Sequence, residues 1–257
     1  MPDRAELSIG GPMSMTAAER GETSGWGRLF PQDSVRRRLF QRLLGLRDRP
    51  IVLASMSRAG SSMLFRAVQS GWAGARFGPR ADALKPYIWD YAWRLDETPL
   101  IPGVIYKTHD LAQHAPRRAR PKVLFTYRRA TEVALSIAAR REREGPKWFA
   151  RHLAHMRGSG RYEDFLRGDT LGLEAQVDGW FAAAGLDILG MRYDELWNRR
   201  AEIEDFLGFS VRLPKRTSSP ATVVPPEQVS MIGATYAALD RKIDALPPVF
   251  VRSAGPA

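Results

Sequence analysis

Short apolar segments alternate with amphipathic segments through the middle of the chain. Runs of apolar residues with strong β propensity predict strands at 51–55, 103–107, 122–127 and 187–193. Apolar residues at helical spacing predict helices at 61–70, 130–142, 173–185, 198–209 and from about Val229 to Leu246. This alternation is typical of an α/β protein with a central parallel β-sheet flanked by helices.

The two ends of the chain have weaker patterns. Residues 1–30 are small and polar without periodicity, which predicts a flexible N-terminal arm, and residues 31–257 are expected to form one domain. Leucines recur at helical spacing between Val35 and Leu46 beside several arginines, which predicts a short basic helix. Such a helix packs through its leucines or touches a membrane, and its short length favours the first. A loop rich in Pro and Ser begins near Leu213.

Composition narrows the classes of function. The 257 residues are 44% hydrophobic, enough for a sizeable core, and no apolar stretch approaches the roughly 20 residues that cross a bilayer. Lys and Arg number 39 against 28 Asp and Glu, so a formal net charge of +11 favours an anionic partner. The absence of cysteine excludes disulfides and thiolate chemistry. No secretory signal is recognisable at the N-terminus, so we expect a cytoplasmic protein.

The first motif is a strand that runs into a glycine-serine turn. After the run at 51–55 come Ser57, Arg58, Ala59 and Gly60, and then Ser61 and Ser62 open a predicted helix. Backbone N–H groups at a helix start bind anions, and hydroxyl and guanidinium groups add donors. Ser61 stands where a Walker A motif has lysine, which disfavours ordinary ATP or GTP hydrolysis. A plain strand-turn-helix connection explains the segment equally well when it is taken alone.

Two further motifs follow at the ends of the next predicted strands. Lys107 and His109 lie at a strand end, where ligands bind in open α/β folds, and a histidine there is a candidate general base. Arg128 ends the third strand and Ser136 lies about two turns into the next helix, so a second phosphate fits between them. The alternative is that Arg128 belongs to a solvated basic surface and Ser136 has no ligand.

These segments, in this order, resemble the nucleotide-dependent sulfotransferases. SRAGSS is similar to the family's 5′-phosphosulfate loop, YKTH to the strand end with its lysine and catalytic histidine, and RRATEVALS to its 3′-phosphate signature. MRYDEL followed by IEDFLGF is similar to its late strand and closing helix. The resemblance covers residues 50 to about 210. It implies a P-loop-like sulfotransferase architecture and 3′-phosphoadenosine 5′-phosphosulfate (PAPS) as donor, with no metal.

The resemblance also implies a role for each matching residue. His109 is the implied catalytic base, and Lys107 and Arg58 stabilise the leaving phosphate. The implied nucleotide-binding residues are Arg58, Ala59, Gly60, Ser61, Ser62, Arg128, Ser136 and Tyr193, with Tyr193 near the adenine. The chain lacks the family's usual proline after the signature arginine and its Gly-rich basic signature near the C-terminus, for which Lys215 and Arg216 are candidate substitutes.

Aromatic residues are dense between the first two predicted strands. Tyr87, Trp89 and Trp93 are candidates to line an acceptor pocket with His109, or else they anchor a long loop. His152 and His155 lie one helical turn apart but lack a third ligand, so we expect solvated helix positions and assign no metal.

The predicted activity is sulfuryl transfer to a hydroxyl of a small-molecule, lipid or glycan acceptor. Two alternatives stay open. One is a kinase-like nucleotide enzyme with a degenerate phosphate loop. The other is a basic nucleic-acid-binding module, although no specific nucleic-acid reading motif is recognisable.

Overall fold

A central β-sheet organises the part of the chain that this computed structural model describes, which is residue 39 and residues 41–216 and 224–255. Within these residues the sheet has six strands in the order β2-β3-β1-β4-β5-β6. Neighbouring strands are parallel except for β5 and β6, which are antiparallel. The strands are β1 (Ile51–Ser55), β2 (Trp89–Tyr91), β3 (Ile105–Thr108), β4 (Lys122–Tyr127), β5 (Asp187–Arg192) and β6 (Val249–Arg252).

Helices cover both faces of this sheet. They are α1 (Ser61–Phe77), α2 (Ala81–Leu84), α3 (Ala130–Glu144), α4 (Pro146–His155), α5 (Tyr162–Phe165), α6 (Leu173–Ala182), α7 (Arg200–Leu207) and α8 (Pro226–Asp244). The prediction of an α/β protein with a central, mostly parallel sheet is confirmed.

Alternating side chains of the central strands fill two separate cores. Val52 and Ala54 of β1 join the core beneath α3, α4, α6 and α8, while Ile51 and Leu53 join the core beneath α1 and α7. Successive side chains of a strand point to opposite faces, so a strand buried on both faces is apolar throughout. This explains why β1 and β4 stand out in the sequence as continuous apolar runs.

The order of the strands determines where their following loops meet. β1 lies between β3 and β4, and the chain leaves the carboxyl end of each of these three strands. A change of direction in strand order opens a crevice at the carboxyl edge of an open α/β sheet, which is where such folds bind ligands. The motifs after β1, β3 and β4 therefore share one edge.

The N-terminal predictions are only partly covered by the described residues. The arm at 1–30 and Val35 lie outside them, as does the segment 217–223 of the predicted C-terminal loop. Residue 39 and residues 41–43 are helical, but Leu39 is 56% and Leu43 74% exposed, and only Leu46 is buried. The expectation that this helix packs through its leucines is therefore wrong for Leu39 and Leu43. Among the described helices, none has the length and apolar composition to cross a membrane.

Candidate functional site

The turn after β1 has a constrained backbone. Arg58 has φ of 60° and Gly60 has φ of 76°, both in the left-handed region, and Gly60 accepts hydrogen bonds from the N–H groups of Met63 and Leu64 as α1 begins. A non-glycine residue in this region is uncommon and persists where the surroundings enforce it. Ser61 is buried and Ser62 is exposed, and Lys107 at the end of β3 donates to the Ser62 hydroxyl over 2.8 Å. The first and second motifs are therefore in contact.

Tyr193 links this turn to the third motif. It lies in the short turn after β5, and a Cβ on Gly60 would come within 2.4 Å of its ring. The guanidinium carbon of Arg128 lies 4.9 Å from the centre of the same ring, a cation–π contact. Gly60 and Arg128, predicted to hold two ends of one nucleotide, thus flank a single aromatic ring.

The side chain of Arg58 extends toward α3. Its Nε donates to the Ser136 hydroxyl over 3.0 Å, while Nη1 of Arg128 donates to the Arg58 carbonyl over 3.4 Å. Arg128 also forms an ion pair with Glu132. Arg58 was predicted at the 5′-phosphate and Ser136 at the 3′-phosphate, so the structure brings together groups that the sequence assigned to separate phosphates.

Positive charge is concentrated around Arg58. Burial is the main cause that lowers the pKa of its guanidinium to about 10. The charges of Arg140, Arg143 and Arg128 act in the same direction, and Glu144 opposes them. A lowered pKa means that the charged form is disfavoured there, which an anion placed nearby would reverse. The cluster therefore has the electrostatics of an anion-binding site.

His109 is buried beside the turn. Its Nδ1 lies 3.0 Å from the carbonyl oxygen and 3.0 Å from the hydroxyl of Ser55. A carbonyl can only accept, so Nδ1 carries the proton and the lone pair of the neutral ring is on Nε2. Burial, followed by the charge of Lys107, lowers the pKa of His109 to about 3. The ring is therefore neutral near pH 7, in the tautomer that leaves Nε2 able to accept a proton.

An aromatic wall lies next to His109. Trp93 is 5.9 Å from the His109 ring and stacks on Tyr91 at 4.9 Å, with Lys107 Nζ 5.9 Å from the Tyr91 ring. Trp89 packs edge-on against Tyr91 at 5.4 Å and also against Phe65 of α1. Tyr87 is buried. Of the three aromatic residues predicted to line a pocket, the structure brings Trp93 to His109, while Trp89 packs against the core beneath α1.

Both histidines of α4 lie at this site. His152 is buried, and its Nε2 lies 2.7 Å from the Ser57 hydroxyl. His155 stacks on Trp93 with ring centres 4.1 Å apart. The expectation of a solvated His152 is wrong, because α4 turns this face toward the loop after β1. Within the described residues, no group of three or more His, Cys, Asp or Glu could hold a metal ion.

A buried carboxylate fixes the loop that follows His109. Asp110 accepts from the Leu95 and Leu111 N–H groups over 2.7 and 2.8 Å, and Arg157 Nε donates to it over 2.6 Å. The Gln176 amide donates to the His109 carbonyl. The contacts with Leu95, Arg157 and Gln176 join the His109 segment to three different parts of the chain, which fixes the backbone that carries the imidazole.

The C-terminal basic residues reach the same region in part. Arg216 lies 5.5 Å over the Trp197 ring, and Trp197 packs edge-on against Tyr193 at 5.4 Å. Trp197 also donates to the Pro214 carbonyl over 2.8 Å. Lys215, between these two contacts, is exposed. The segment 214–216 is thus held against Trp197, which in turn packs on the Tyr193 ring.

No protein-family model matches the chain, and no curated protein matches it. The geometry of the site therefore carries the functional argument.

Proposed function

We propose that this protein is a sulfotransferase, which transfers a sulfuryl group from PAPS to a hydroxyl of a small-molecule, lipid or glycan acceptor. One observation carries the proposal: a cluster of guanidinium and hydroxyl groups and a buried neutral imidazole meet at the carboxyl ends of β1, β3 and β4. The guanidinium and hydroxyl groups suit the phosphates of a doubly phosphorylated nucleotide, and the imidazole suits the hydroxyl of an acceptor.

The residues around Tyr193 suit a nucleotide with two anionic ends. Arg58, Arg128 and Ser136 offer donors on the α3 side, and the backbone start of α1 with Ser61 and Ser62 offers them on the other. Because Gly60 has no side chain, the Tyr193 ring packs directly against this turn, beside the Arg128 guanidinium. The departure of Arg58 toward Ser136 makes Lys107 the first candidate to stabilise the leaving 5′-phosphate.

The imidazole of His109 suits the acceptor. Its Nε2 would take the hydroxyl proton as the acceptor oxygen bonds to sulfur, while the electron pair of the broken S–O bond stays on the 5′-phosphate. In the free protein the pKa of His109 is low, and bound anionic groups would raise it because they offset Lys107 and Arg58. Arg58 stays charged and acts only as an electrostatic group.

The two alternatives predict different ligands. A kinase-like enzyme would bind ATP in a Mg²⁺-dependent manner. A nucleic-acid-binding module would bind duplex DNA with an affinity that falls steeply with salt. A sulfotransferase should bind the desulfated donor, 3′-phosphoadenosine 5′-phosphate (PAP), tightly without Mg²⁺.

Calorimetric titration and one substitution test the proposal. PAP should bind in the presence of EDTA more tightly than ATP with Mg²⁺, and PAPS should support sulfation of some member of a panel of phenolic, glycan and lipid acceptors. His109→Ala should bind PAP near normally and lose transfer by about 100-fold or more. Binding of ATP with Mg²⁺ but not of PAP would overturn the proposal, and full turnover by His109→Ala would remove His109 from the mechanism.

A further inference from the structure

A second histidine is attached to the donor loop, which we define as residues 57–60. The Ser57 hydroxyl lies 2.7 Å from Nε2 of His152, and Ser57 is 0% exposed. A fully buried hydroxyl cannot reach a ligand in the crevice, so its hydrogen bond serves the interior of the protein. The bond joins the donor loop to α4, an element that the sulfotransferase motifs do not include.

The same strand end holds both buried histidines. Ser55 contacts Nδ1 of His109, and Ser57, two residues later, contacts His152. The rings of His109 and His152 are 6.2 Å apart and nearly edge-to-face. His152 is itself fixed by Trp148, on which it stacks at 4.8 Å with an interplanar angle of 12°. The position of Ser57 is therefore set by a ring that cannot easily move.

The backbone next to Ser57 needs such support. Arg58 has φ of 60°, in the left-handed region, which is strained for a residue with a side chain. That conformation directs Arg58 toward Ser136 and leaves its carbonyl to accept from Arg128. If Ser57 were released, the turn could relax, and both contacts would be lost together.

We propose that His152 is a positioning residue for nucleotide binding, which acts by holding Ser57 and thereby the donor loop. The proposal rests on the proposed function, because the ligand it concerns is the donor nucleotide. His152 touches neither the nucleotide nor the acceptor in this role. Its removal should therefore weaken PAP binding and raise the KM for PAPS more than it lowers kcat.

Four variants test the role. His152→Phe keeps a ring to stack on Trp148 but has no nitrogen, whereas His152→Gln can place its amide nitrogen near the position of Nε2. Ser57→Ala removes the other partner, and the double variant Ser57→Ala/His152→Phe removes both. His114→Phe, in the surface turn after β3, is the matched control for replacing a histidine by phenylalanine. PAP affinity is measured by calorimetry, and thermal unfolding tests whether each variant folds.

The single and double variants form a double-mutant cycle, which tests whether His152 acts through Ser57. His152→Phe and Ser57→Ala should each raise the Kd for PAP about tenfold, the double variant should also raise it about tenfold rather than about 100-fold, and His152→Gln should stay within about threefold of wild type. His114→Phe should bind as wild type does. If His152→Phe does not fold, Ser57→Ala and His152→Gln decide the question.

The failures of the two proposals are distinguishable. Wild-type protein that does not bind PAP would overturn the proposed function and this inference with it. Wild-type protein that binds PAP while His152→Phe and Ser57→Ala bind it equally well would overturn the role of His152 alone. Additive losses in the double variant would show that His152 does not act through Ser57, and would also overturn it.

Discussion

At the scale of single residues, the buried histidines make stability depend on pH. His109 titrates near pH 6.5 in an unfolded chain, but in the folded protein burial and Lys107 lower its pKa to about 3. Between these values the unfolded state binds a proton that the folded state does not, so stability falls as pH decreases from about 6.5 toward about 3. Above pH 6.5 this contribution is fully present.

We therefore predict that His109→Gln flattens the acid side of the stability profile. A histidine that titrates only in the unfolded state contributes a slope of at most about 1.4 kcal/mol per pH unit, and the variant should lose about that slope between pH 4.5 and 6. Urea unfolding at a series of pH values measures it. The pKa of His152 is lowered in the same direction, so part of the slope should remain in the variant. Identical profiles for the two proteins would show that His109 is not held neutral.

Contacts between single side chains were the least predictable part of the site. The resemblance to the sulfotransferases implied that Arg58 binds the 5′-phosphate, yet its guanidinium bonds to Ser136. The direction of that side chain follows from the left-handed backbone at Arg58, and residue type gives no sign of it, because such a conformation is normally the property of glycine. His152 could have been found: Trp148, Phe149, His152 and Leu153 recur at helical spacing and share the buried face of α4.

At the scale of elements, strands buried on both faces were predicted best. β1 and β4 have the bounds that their apolar runs indicate, since every residue on either face adds to the signal. β2 and β6 were missed because they are three and four residues long and only partly buried. β2 lies within the aromatic segment for which a pocket lining or a long loop was predicted, which explains why Trp89 packs into the fold.

The turn between β1 and α1 gives a prediction at this scale. In Gly60→Ala the new Cβ would lie 2.4 Å from the Tyr193 ring, so the ring must shift and its contact with Arg128 must change. We expect PAP affinity to fall at least about tenfold and the free energy of unfolding to fall by about 1–2 kcal/mol. Calorimetry and urea unfolding measure the two effects.

A second glycine serves as a control. It separates the effect of placing alanine at a positive φ from the effect of a clash with the Tyr193 ring. Gly172, at the start of α6, has φ of +64° and nothing within 4 Å of an added Cβ. Gly172→Ala should therefore lose only the backbone contribution to stability and should bind PAP as wild type does. If Gly60→Ala also retains wild-type affinity, the close packing of Gly60 on Tyr193 has no part in nucleotide binding.

At the scale of the whole molecule, the net charge of +11 does not distinguish a nucleotide site from a general affinity for anions. Two variants that lower the net charge by the same amount can distinguish these two possibilities. Arg128→Ala removes a guanidinium that contacts Tyr193 and Arg58, and Arg118→Ala removes an exposed one from the turn before β4. Long-range attraction should fall alike in both, whereas a specific phosphate contact should be lost only in the first.

Because PAP binds only the folded protein, a difference in PAP affinity between the two variants can be measured as a difference in Tm. PAP at 100 times its Kd should stabilise the folded protein by about 2.7 kcal/mol, since a ligand that binds only the folded state adds RT ln(1 + [L]/Kd). For a chain of this length that corresponds to a rise in Tm of roughly 5–10 °C. Arg118→Ala should keep this shift at the same PAP concentration. Arg128→Ala should lose about half of it or more, because a lost charge-assisted bond to phosphate raises Kd by about tenfold or more, and a tenfold rise leaves about 1.4 kcal/mol of stabilisation.

The pattern of shifts decides between local and global electrostatics. Equal loss in Arg118→Ala and Arg128→Ala would mean that PAP responds to the overall charge, and the assignment of a 3′-phosphate to Arg128 and Ser136 would fail. Adenosine 5′-phosphate, which lacks the 3′-phosphate, provides a second comparison. At the same concentration it should raise the Tm of the wild type less than PAP does. The Tm of Arg128→Ala should rise equally with either nucleotide. The two nucleotides, each measured with Arg118→Ala and with Arg128→Ala, give four thermal shifts. Because the nucleotides differ by one phosphate and the variants by the place of one charge, these shifts locate the 3′-phosphate on the protein.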